Sequence, residues 1–372
     1  MSHDRRTTRS RRCRRLALVT ICAVALAACG SDGDSATSSS AAPSSATAAS
    51  AAATTATGAT GASTASAPSD SFPVSVVHAL GTTVVPAEPK RIVTVGVTEQ
   101  DTVLALGIVP VGVTEWYGEQ PDATWPWAQA ALGGAHPEVL VTDDGLQFEK
   151  IAALKPDLII GTNAGLDSDQ YERLSAIAPT IAHPADAPLW FAPWDDQARL
   201  IGEATGRTDQ MEAIIADVEQ QFADAAAAHP EFAGKKVVFL QNAFYDGNAI
   251  AYQNGLSTEF LTDLGFVVPG ELDQYATDGG QAYIPMEHLD VLDTADVLLW
   301  ATEKPEDRTA LEAEPLYLEL AAVRSGHLVF TDGITAGAIY FTSPLSLPYV
   351  LQRLVPALAS TIAGNGPATI TG

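Results

Sequence analysis

The stretch FEKIAALKPDLII, residues 148–160, contains a complete transition from a helix to a strand. We predict a helix at 149–154 and a buried strand at 157–161. Pro156 separates the two, because proline disfavours the helical conformation of the residue before it. A helix that leads directly into a buried strand is typical of α/β proteins with parallel sheets.

Short apolar runs and longer helical patterns alternate on both sides of this stretch, from Phe72 to the end of the chain. The predicted strands are 91–97, 109–114, 157–161, 236–241, 296–301 and 327–331, and the predicted helices include 98–106, 149–154 and 170–177. The alternation favours the α/β class, with Rossmann-like lobes built on parallel sheets.

One longer helix divides this region into two halves. Thr208 is a suitable N-cap, Asp209 favours the positive end of the helix dipole, and Pro230 marks the stop. Apolar residues recur between them at helical spacing, namely Met211, Ile214, Ile215, Val218 and Phe222. The predicted parts are an N-terminal lobe (72–207), an interlobe spine helix (208–230) and a C-terminal lobe (231–372). A rigid spine predicts small lobe movements on ligand binding.

Residues 1–28 have the features of a bacterial signal peptide, with seven arginines followed by a short apolar stretch at 16–28. Leu26-Ala27-Ala28-Cys29 resembles a lipobox, in which the cysteine receives the lipid. We therefore predict a lipid anchor at Cys29 and a location on the extracytoplasmic face of the bacterial cell membrane. An ordinary secretory signal with an incidental cysteine is the alternative. Ser10-Arg11-Arg12 leaves open whether export is by the general or the twin-arginine route.

The segment 29–71 is rich in Ser, Ala, Thr, Gly and Pro and has no apolar periodicity. Such a segment cannot bury enough surface to fold, so we predict a flexible linker and leave O-glycosylation open. Loss of residues 1–28 would remove seven arginines and Asp4 and change the formal net charge from −25 to −31. So acidic a chain argues against a nucleic-acid partner.

Patterns typical of an enzyme or a metal centre are absent from the sequence. It has no GxSxG elbow and no phosphate-binding glycine loop after a strand, and Cys29 is the one cysteine outside the signal peptide. The histidines are scattered, without HxH or HxxxH spacing. We therefore predict no enzymatic activity, no cofactor and no direct metal site.

Aromatic residues are concentrated in the loops around the ends of the predicted strands. Ligands of open α/β lobes bind beyond the carboxyl ends of the strands, and broad aromatic faces suit a bulky chelate. The alternative is that these rings pack at the lobe edges. The candidate ligand-binding residues are Trp116, Tyr117, Trp190, Trp194, Tyr245, Trp300 and Tyr340, with Asn163, Gln241, Thr98 and Asn242 as polar partners.

Three groups of residues together resemble the iron-siderophore and cobalamin branch of the periplasmic binding proteins, over 84–359. They are Pro89-Lys90-Arg91-Ile92-Val93 with 104–112, the stretch 148–160, and Ile284-Pro285-Met286-Glu287-His288-Leu289 with 295–299. The resemblance implies two lobes on a helical backbone, and a monomeric binding protein that delivers an iron–siderophore complex to an ABC permease.

Two glutamates gain a role from this resemblance. Glu149 and Glu287 begin helices at equivalent positions of the two predicted lobes. In the family such a pair meets arginines of the permease, so we expect both to dock there. The alternative is that each acid only complements a helix dipole, which contributes about 0.3–1 kcal/mol.

The chain departs from the family in one loop. Several members carry an arginine before the Glu149 helix, where it contacts anionic ligand oxygens, whereas this chain has Thr142-Asp143-Asp144-Gly145. The nearest candidate cations are Arg173, Arg199 and Arg324. We therefore expect a neutral or cationic hydroxamate complex, or a haem-like apolar ligand. The alternative function is a haem- or cobalamin-binding surface lipoprotein that works without a transporter.

Overall fold

The computed structural model describes residues 70–276 and 280–371. The predicted signal peptide at 1–28, the lipid-attachment residue Cys29 and the predicted linker up to residue 69 lie outside the described residues. Within the two described ranges, every helix is too short or too polar to span a bilayer.

The first lobe begins with a hairpin and continues into a five-stranded parallel sheet. The strands are β1 (Val74–His78) and β2 (Gly81–Val85) in the hairpin, then β3 (Ile92–Thr94), β4 (Gly112–Thr114), β5 (Glu138–Leu140), β6 (Leu158–Ile160) and β7 (Thr180–Ile181). The sheet order is β5-β4-β3-β6-β7. Every residue of β3, β4, β6 and β7 is buried, as expected for parallel strands that are covered on both faces.

The helices of the first lobe are α1 (Glu99–Ala105), α2 (Gln129–Leu132), α3 (Phe148–Ala153), α4 (Ser168–Ser175) and α5 (Trp194–Ala204). The stretch 148–160 folds as predicted, since α3 ends before Pro156 and β6 follows it. The Asp157 carboxylate accepts hydrogen bonds from the backbone N–H groups of Lys90 (2.8 Å) and Arg91 (2.7 Å), which ties the start of β6 to the start of β3.

The long helix α6 (Thr208–Ala228) packs against α5 on one side. Its buried residues are Met211, Ile215, Val218 and Phe222. The two helices approach so closely that a Cβ at Gly202 would lie 2.8 Å from the Cβ of Met211. Thr208 is the first helical residue and not the predicted N-cap, because its hydroxyl donates to the Asp70 carboxylate at 2.7 Å.

The second lobe carries a six-stranded sheet. Its strands are β8 (Val237–Tyr245), β9 (Asn248–Tyr252), β10 (Ala282–Pro285), β11 (Val297–Ala301), β12 (Leu328–Phe330) and β13 (Ala368–Thr369), in the order β10-β9-β8-β11-β12-β13. Its helices are α7 (Glu259–Thr262), α8 (Pro305–Glu312), α9 (Pro315–Leu318), α10 (Ala321–Ser325), α11 (Gly333–Tyr340) and α12 (Ser346–Ile362). The last of these, α12, packs on α6, so the long helix contacts both lobes.

Two α/β lobes with parallel sheets and a long helix between them confirm the predicted fold class. The second sheet also has an antiparallel part, because β9 and β10 run against their neighbours. Asp246 (φ 48°) and Gly247 (φ 74°) form a two-residue turn between β8 and β9. Positive φ at both central residues is the geometry that joins antiparallel strands without splaying them.

Candidate ligand-binding cleft

The loops that follow β3, β4 and β6 enclose a cavity of about 170 Å³, which we call the strand-end pocket. Its lining includes Gly96, Val97, Thr114, Trp116, Gln170 and Trp190. The pocket lies beyond the carboxyl ends of parallel strands, where open α/β sheets bind their ligands. It is mainly apolar, with a few hydroxyl and amide groups, as small-molecule sites commonly are.

Two tryptophans line this pocket. Trp116 follows β4, is half-buried, and packs edge-on against Tyr117 with ring centroids 4.5 Å apart. Trp190 is 40% exposed and lies over Gly165, where a Cβ would be 2.2 Å from the indole. Gly165 has φ +58°, so both its backbone conformation and the contact with Trp190 favour glycine.

The second lobe faces these tryptophans with the end of α11. Phe341 stacks on Phe191 (4.9 Å between centroids, 17° between planes) and meets the Trp116 ring at 5.1 Å. A Cβ at Gly337 would lie 2.5 Å from the Trp125 ring. The aromatic residues of the two lobes are therefore in direct contact across the cleft.

A second cavity, of about 550 Å³, lies on the other side of the Trp116–Tyr117 pair. We call it the interlobe groove, and its polar lining is Tyr117, Gln120, Glu303, Lys304 and Asp332. The Tyr117 hydroxyl donates to the Gly333 carbonyl of the second lobe at 3.2 Å. Acids outnumber cations two to one in this groove.

A buried glutamate lies directly behind the strand-end pocket. Glu99 is 2% exposed, and its Oε1 accepts the backbone N–H of Asn163 at 2.8 Å. Desolvation raises the pKa of Glu99 to about 7, against the opposing effect of the hydrogen bond from the Asn163 backbone N–H group. Its Oε2 is buried and has no hydrogen-bond partner among the described residues.

A second buried acid joins the two lobes. The Asp101 Oδ2 accepts the indole N–H of Trp127 at 2.6 Å and the hydroxyl of Ser343, from the second lobe, at 2.7 Å. Desolvation raises the pKa of Asp101 to about 6, although these two hydrogen bonds favour the ionised form.

Several of the predicted ligand residues come together at the cleft. Trp116 and Trp190 line the strand-end pocket, and Tyr117 lines the interlobe groove. Tyr340 is buried beneath them, with its ring 6.3 Å from both Trp116 and Tyr117 and its hydroxyl donating to the Ala301 carbonyl at 2.9 Å.

The predicted polar partners are already engaged within the protein. The side-chain N–H of Asn163, which is 1% exposed, donates to the Thr98 hydroxyl at 3.3 Å. The Gln241 Oε1 accepts from Gln281 at 2.7 Å and from the Tyr252 hydroxyl at 3.2 Å. Tyr245 is 68% exposed at the tip of the β8–β9 hairpin and is not among the residues that line the two cavities.

Two predicted ligand residues lie away from both of these cavities, and their ligand-binding role stays a prediction. Trp300 is fully buried within β11, where it packs on Tyr317 and Phe244, because a central strand is covered on both faces. Trp194 begins α5 and faces α6, where it lines a separate cavity of about 200 Å³. Gln170, which lines the strand-end pocket, and Glu99, which lies behind it, were not among the predicted cleft residues.

The two predicted docking glutamates are both exposed, and they occupy equivalent connections. Glu149 is in the first turn of α3, between β5 and β6. Glu287 is in the first turn of a 3₁₀ segment, Met286–Thr294, between β10 and β11. Their docking role stays a prediction.

The described part of the chain contains no group of three or more His, Cys, Asp or Glu residues that could hold a metal ion.

The comparisons with known proteins also indicate a binding protein. Residues 92–335 match the periplasmic binding protein family. The probable siderophore-binding lipoprotein YfiY of Bacillus subtilis is 31% identical over 288 residues, which cover 71% of this chain and 83% of that protein. A periplasmic solute binding protein of Mycobacterium smegmatis is 46% identical, with a TM-score of 0.73, covering 78% of this chain and 98% of that one.

PiaA of Streptococcus pneumoniae, solved in complex with ferrichrome, is 27% identical, with a TM-score of 0.69, covering 78% of this chain and 99% of that one. The family and these relatives are binding proteins and not enzymes, which confirms the predicted lack of catalytic function. The chain belongs to the periplasmic binding protein family, in its siderophore- and cobalamin-type branch.

Proposed function

We propose that this protein is a lipid-anchored, monomeric substrate-binding protein of an ABC importer. It captures an iron–siderophore complex on the extracytoplasmic face of the membrane and delivers it to the permease. The observation that carries the proposal is the aromatic cleft at the strand ends, with Trp116 and Trp190 as its walls. Relatives that are named for siderophore binding support the same ligand class.

The chemistry of the cleft suits a chelate. Broad aromatic rings from both lobes contact apolar surface of any shape, and the hydroxyl and amide groups between them fix orientation. The iron is cargo, held by its siderophore, and the protein needs no cofactor of its own.

Tryptophan fluorescence tests the binding step. All six tryptophans lie in the described ranges, and Trp116 and Trp190 line the pocket. We expect saturable quenching when the full-length protein in detergent is titrated with ferrichrome, ferrioxamine B or another ferric siderophore. Haem and cobalamin are the controls. Saturable quenching by haem or cobalamin alone would replace this function with the alternative of a haem- or cobalamin-binding lipoprotein.

Uptake of radioactive iron by whole cells tests the delivery step. Changing Glu149 and Glu287 together to alanine should lower siderophore-dependent uptake and leave the affinity of the purified protein unchanged. Normal uptake by the double variant would show that these acids do not dock the permease.

The anchor has its own test. Changing Cys29 to serine should move the protein from the membrane fraction to the soluble fraction of a cell lysate, because the thiol would no longer carry lipid. Retention of that variant in the membrane fraction would contradict a lipid anchor at this residue.

A further inference from the structure

A backbone N–H group beside the strand-end pocket would suit an anion. It is that of Asn163, in the loop after β6. Backbone N–H groups of this kind hold anionic oxygens in many proteins. Gly96 and its neighbour Val97 line the pocket directly, as does Ala164 beside Asn163.

Here the protein fills that position with its own carboxylate. Glu99 Oε1 accepts the Asn163 N–H at 2.8 Å, and the side chain is almost fully buried. The fit depends on glycine, because a Cβ at Gly96 would lie 2.1 Å from Glu99 Oε1 and 2.5 Å from the Asn163 carbonyl oxygen. This N–H group is therefore already satisfied and cannot bind a ligand oxygen.

The charged side chains around the strand-end pocket are mostly negative. The lining of the strand-end pocket contains neither lysine nor arginine. Asp143 and Asp144 are exposed on the loop that closes one side of it. Lys304 lines the neighbouring groove, but Glu303 and Asp332 line it too. An anionic ligand would therefore meet a buried negative charge without a compensating cation, which is costly in a partly desolvated site.

We propose that Glu99 is a specificity-determining residue, whose carboxylate occupies the anion position of the strand-end pocket and makes the cleft selective for uncharged or cationic chelates. This inference rests on the proposed function. It gives the buried acid a role in rejecting ligands in addition to its structural hydrogen bonds.

A series of ligands that differ only in one terminal group tests the inference. Ferrioxamine B ends in an ammonium group, its N-acetyl derivative is neutral there, and its N-succinyl derivative ends in a carboxylate, while all three hold iron in the same way. We expect the ammonium form to bind the wild-type protein roughly tenfold more tightly than the succinyl form. Titrations at pH 8 keep Glu99 mostly ionised, because its pKa is about 7.

The Glu99→Gln variant keeps the shape of the side chain and removes its charge. We expect the affinity ratio between the ammonium and succinyl forms to fall by roughly threefold in this variant. Asp217→Asn is the matched control, because it removes one negative charge from an exposed position on α6 and should leave the ratio unchanged. A merely structural role for Glu99 would weaken all three ligands together and would not move the ratio.

The inference fails if the succinyl form binds the wild-type protein as tightly as the ammonium form, or if Glu99→Gln leaves the ratio as it was. If the variant does not fold, the wild-type series still decides on the charge preference of the cleft. If none of the three ligands binds, the inference is overturned, whereas the proposed function is judged separately by siderophore-dependent iron uptake.

Discussion

The main sheets of the two lobes share a strand order over five strands, but the first two strands of each sheet are connected differently. In the first lobe, β3 and β4 are parallel and α1 crosses between them. In the second lobe, β8 and β9 occupy the equivalent places, but they are antiparallel and a two-residue turn joins them. The same sheet position therefore holds a helix with two buried acids in one lobe and a short hairpin in the other.

The two lobes also contribute differently to the cleft. The loops after β3, β4, β5 and β6 of the first lobe line the strand-end pocket. The second lobe contributes Phe341, at the end of α11, to the cleft. We therefore expect the first lobe to hold most of the ligand site and the second lobe to cover it.

Replacing one tryptophan in each lobe should give the largest difference between the two lobes, measured as loss of stability and loss of ligand affinity. Trp300→Ala should lower the free energy of unfolding by about 3–5 kcal/mol, because a fully buried ring leaves a cavity in the second-lobe core. Chemical denaturation measures this loss. The ligand affinity of the folded variant should be unchanged.

Trp116→Ala should behave in the opposite way. The ring is half-buried at the pocket, so we expect a loss of about 1–2 kcal/mol in stability and at least about tenfold in affinity for the ferric siderophore. The assignment of the ligand site to the first lobe is wrong if Trp300→Ala weakens ligand binding and Trp116→Ala does not.

A glycine substitution tests how much the first-lobe pocket depends on close packing. Gly96→Ala should destabilise the protein by about 2–3 kcal/mol, since a Cβ there overlaps the Glu99 carboxylate and the Asn163 carbonyl. Gly270→Ala in the second lobe is the control, because the nearest atom to its Cβ would be 3.9 Å away. Equal thermal unfolding of the two variants would contradict the packing around Glu99.

The buried acids of α1 predict that the stability of the first lobe depends on pH, which is not expected of the second-lobe hairpin. The folded-state pKa of Asp101 is about 6, above its ordinary value, so its contribution to stability is full below about pH 4 and is lost as the pH rises through 6. Melting temperatures should therefore fall as the pH rises from about 4 to about 6.

Asp101→Asn should reduce this slope. It should not abolish it, because the pKa of Glu99 is raised to about 7 and that of Asp263, on the second-lobe side of α6, is raised to about 6. A steeper slope in the variant would contradict the assignment.

The two predicted docking glutamates give the smallest expected difference, which is in iron uptake. Glu287 lies in a groove with three other acids, Asp290, Asp293 and Glu319, whereas Glu149 is followed by Lys150 and lies near Arg173, whose guanidinium is 3.5 Å from the ring centroid of Phe148. We expect Glu287→Gln to lower iron uptake about twofold more than Glu149→Gln, because a cationic partner meets the more negative surface there. Uptake assays at low and high salt check the expected screening.

Much of the fold could be predicted because its signals are local. The apolar spacing of α6 and the proline between α3 and β6 lie within single segments, and both elements form close to the predicted positions. The hairpin had a local signal as well, the Asp246-Gly247 pair, which the apolar run at 236–241 obscured.

The site was harder to predict because its partners are distant in the chain. Glu99 is held by Asn163, 64 residues away, and Asp101 by Ser343, 242 residues away. The composition of α1 cannot show that both of its acids, Glu99 and Asp101, are buried. For the same reason, Trp116 and Trp300 look equivalent in sequence, although one lines the pocket and the other fills a core.

The position of iron in crystals of the ferric-siderophore complex is the most direct test of the central claim. Anomalous diffraction locates the metal independently of the rest of the ligand. We predict a single iron peak between the strand-end pocket and Phe341, within contact distance of a chelate that touches Trp116 and Trp190. An iron peak in the cavity beside Trp194 and α6, or on the outer face of either lobe, would contradict the account.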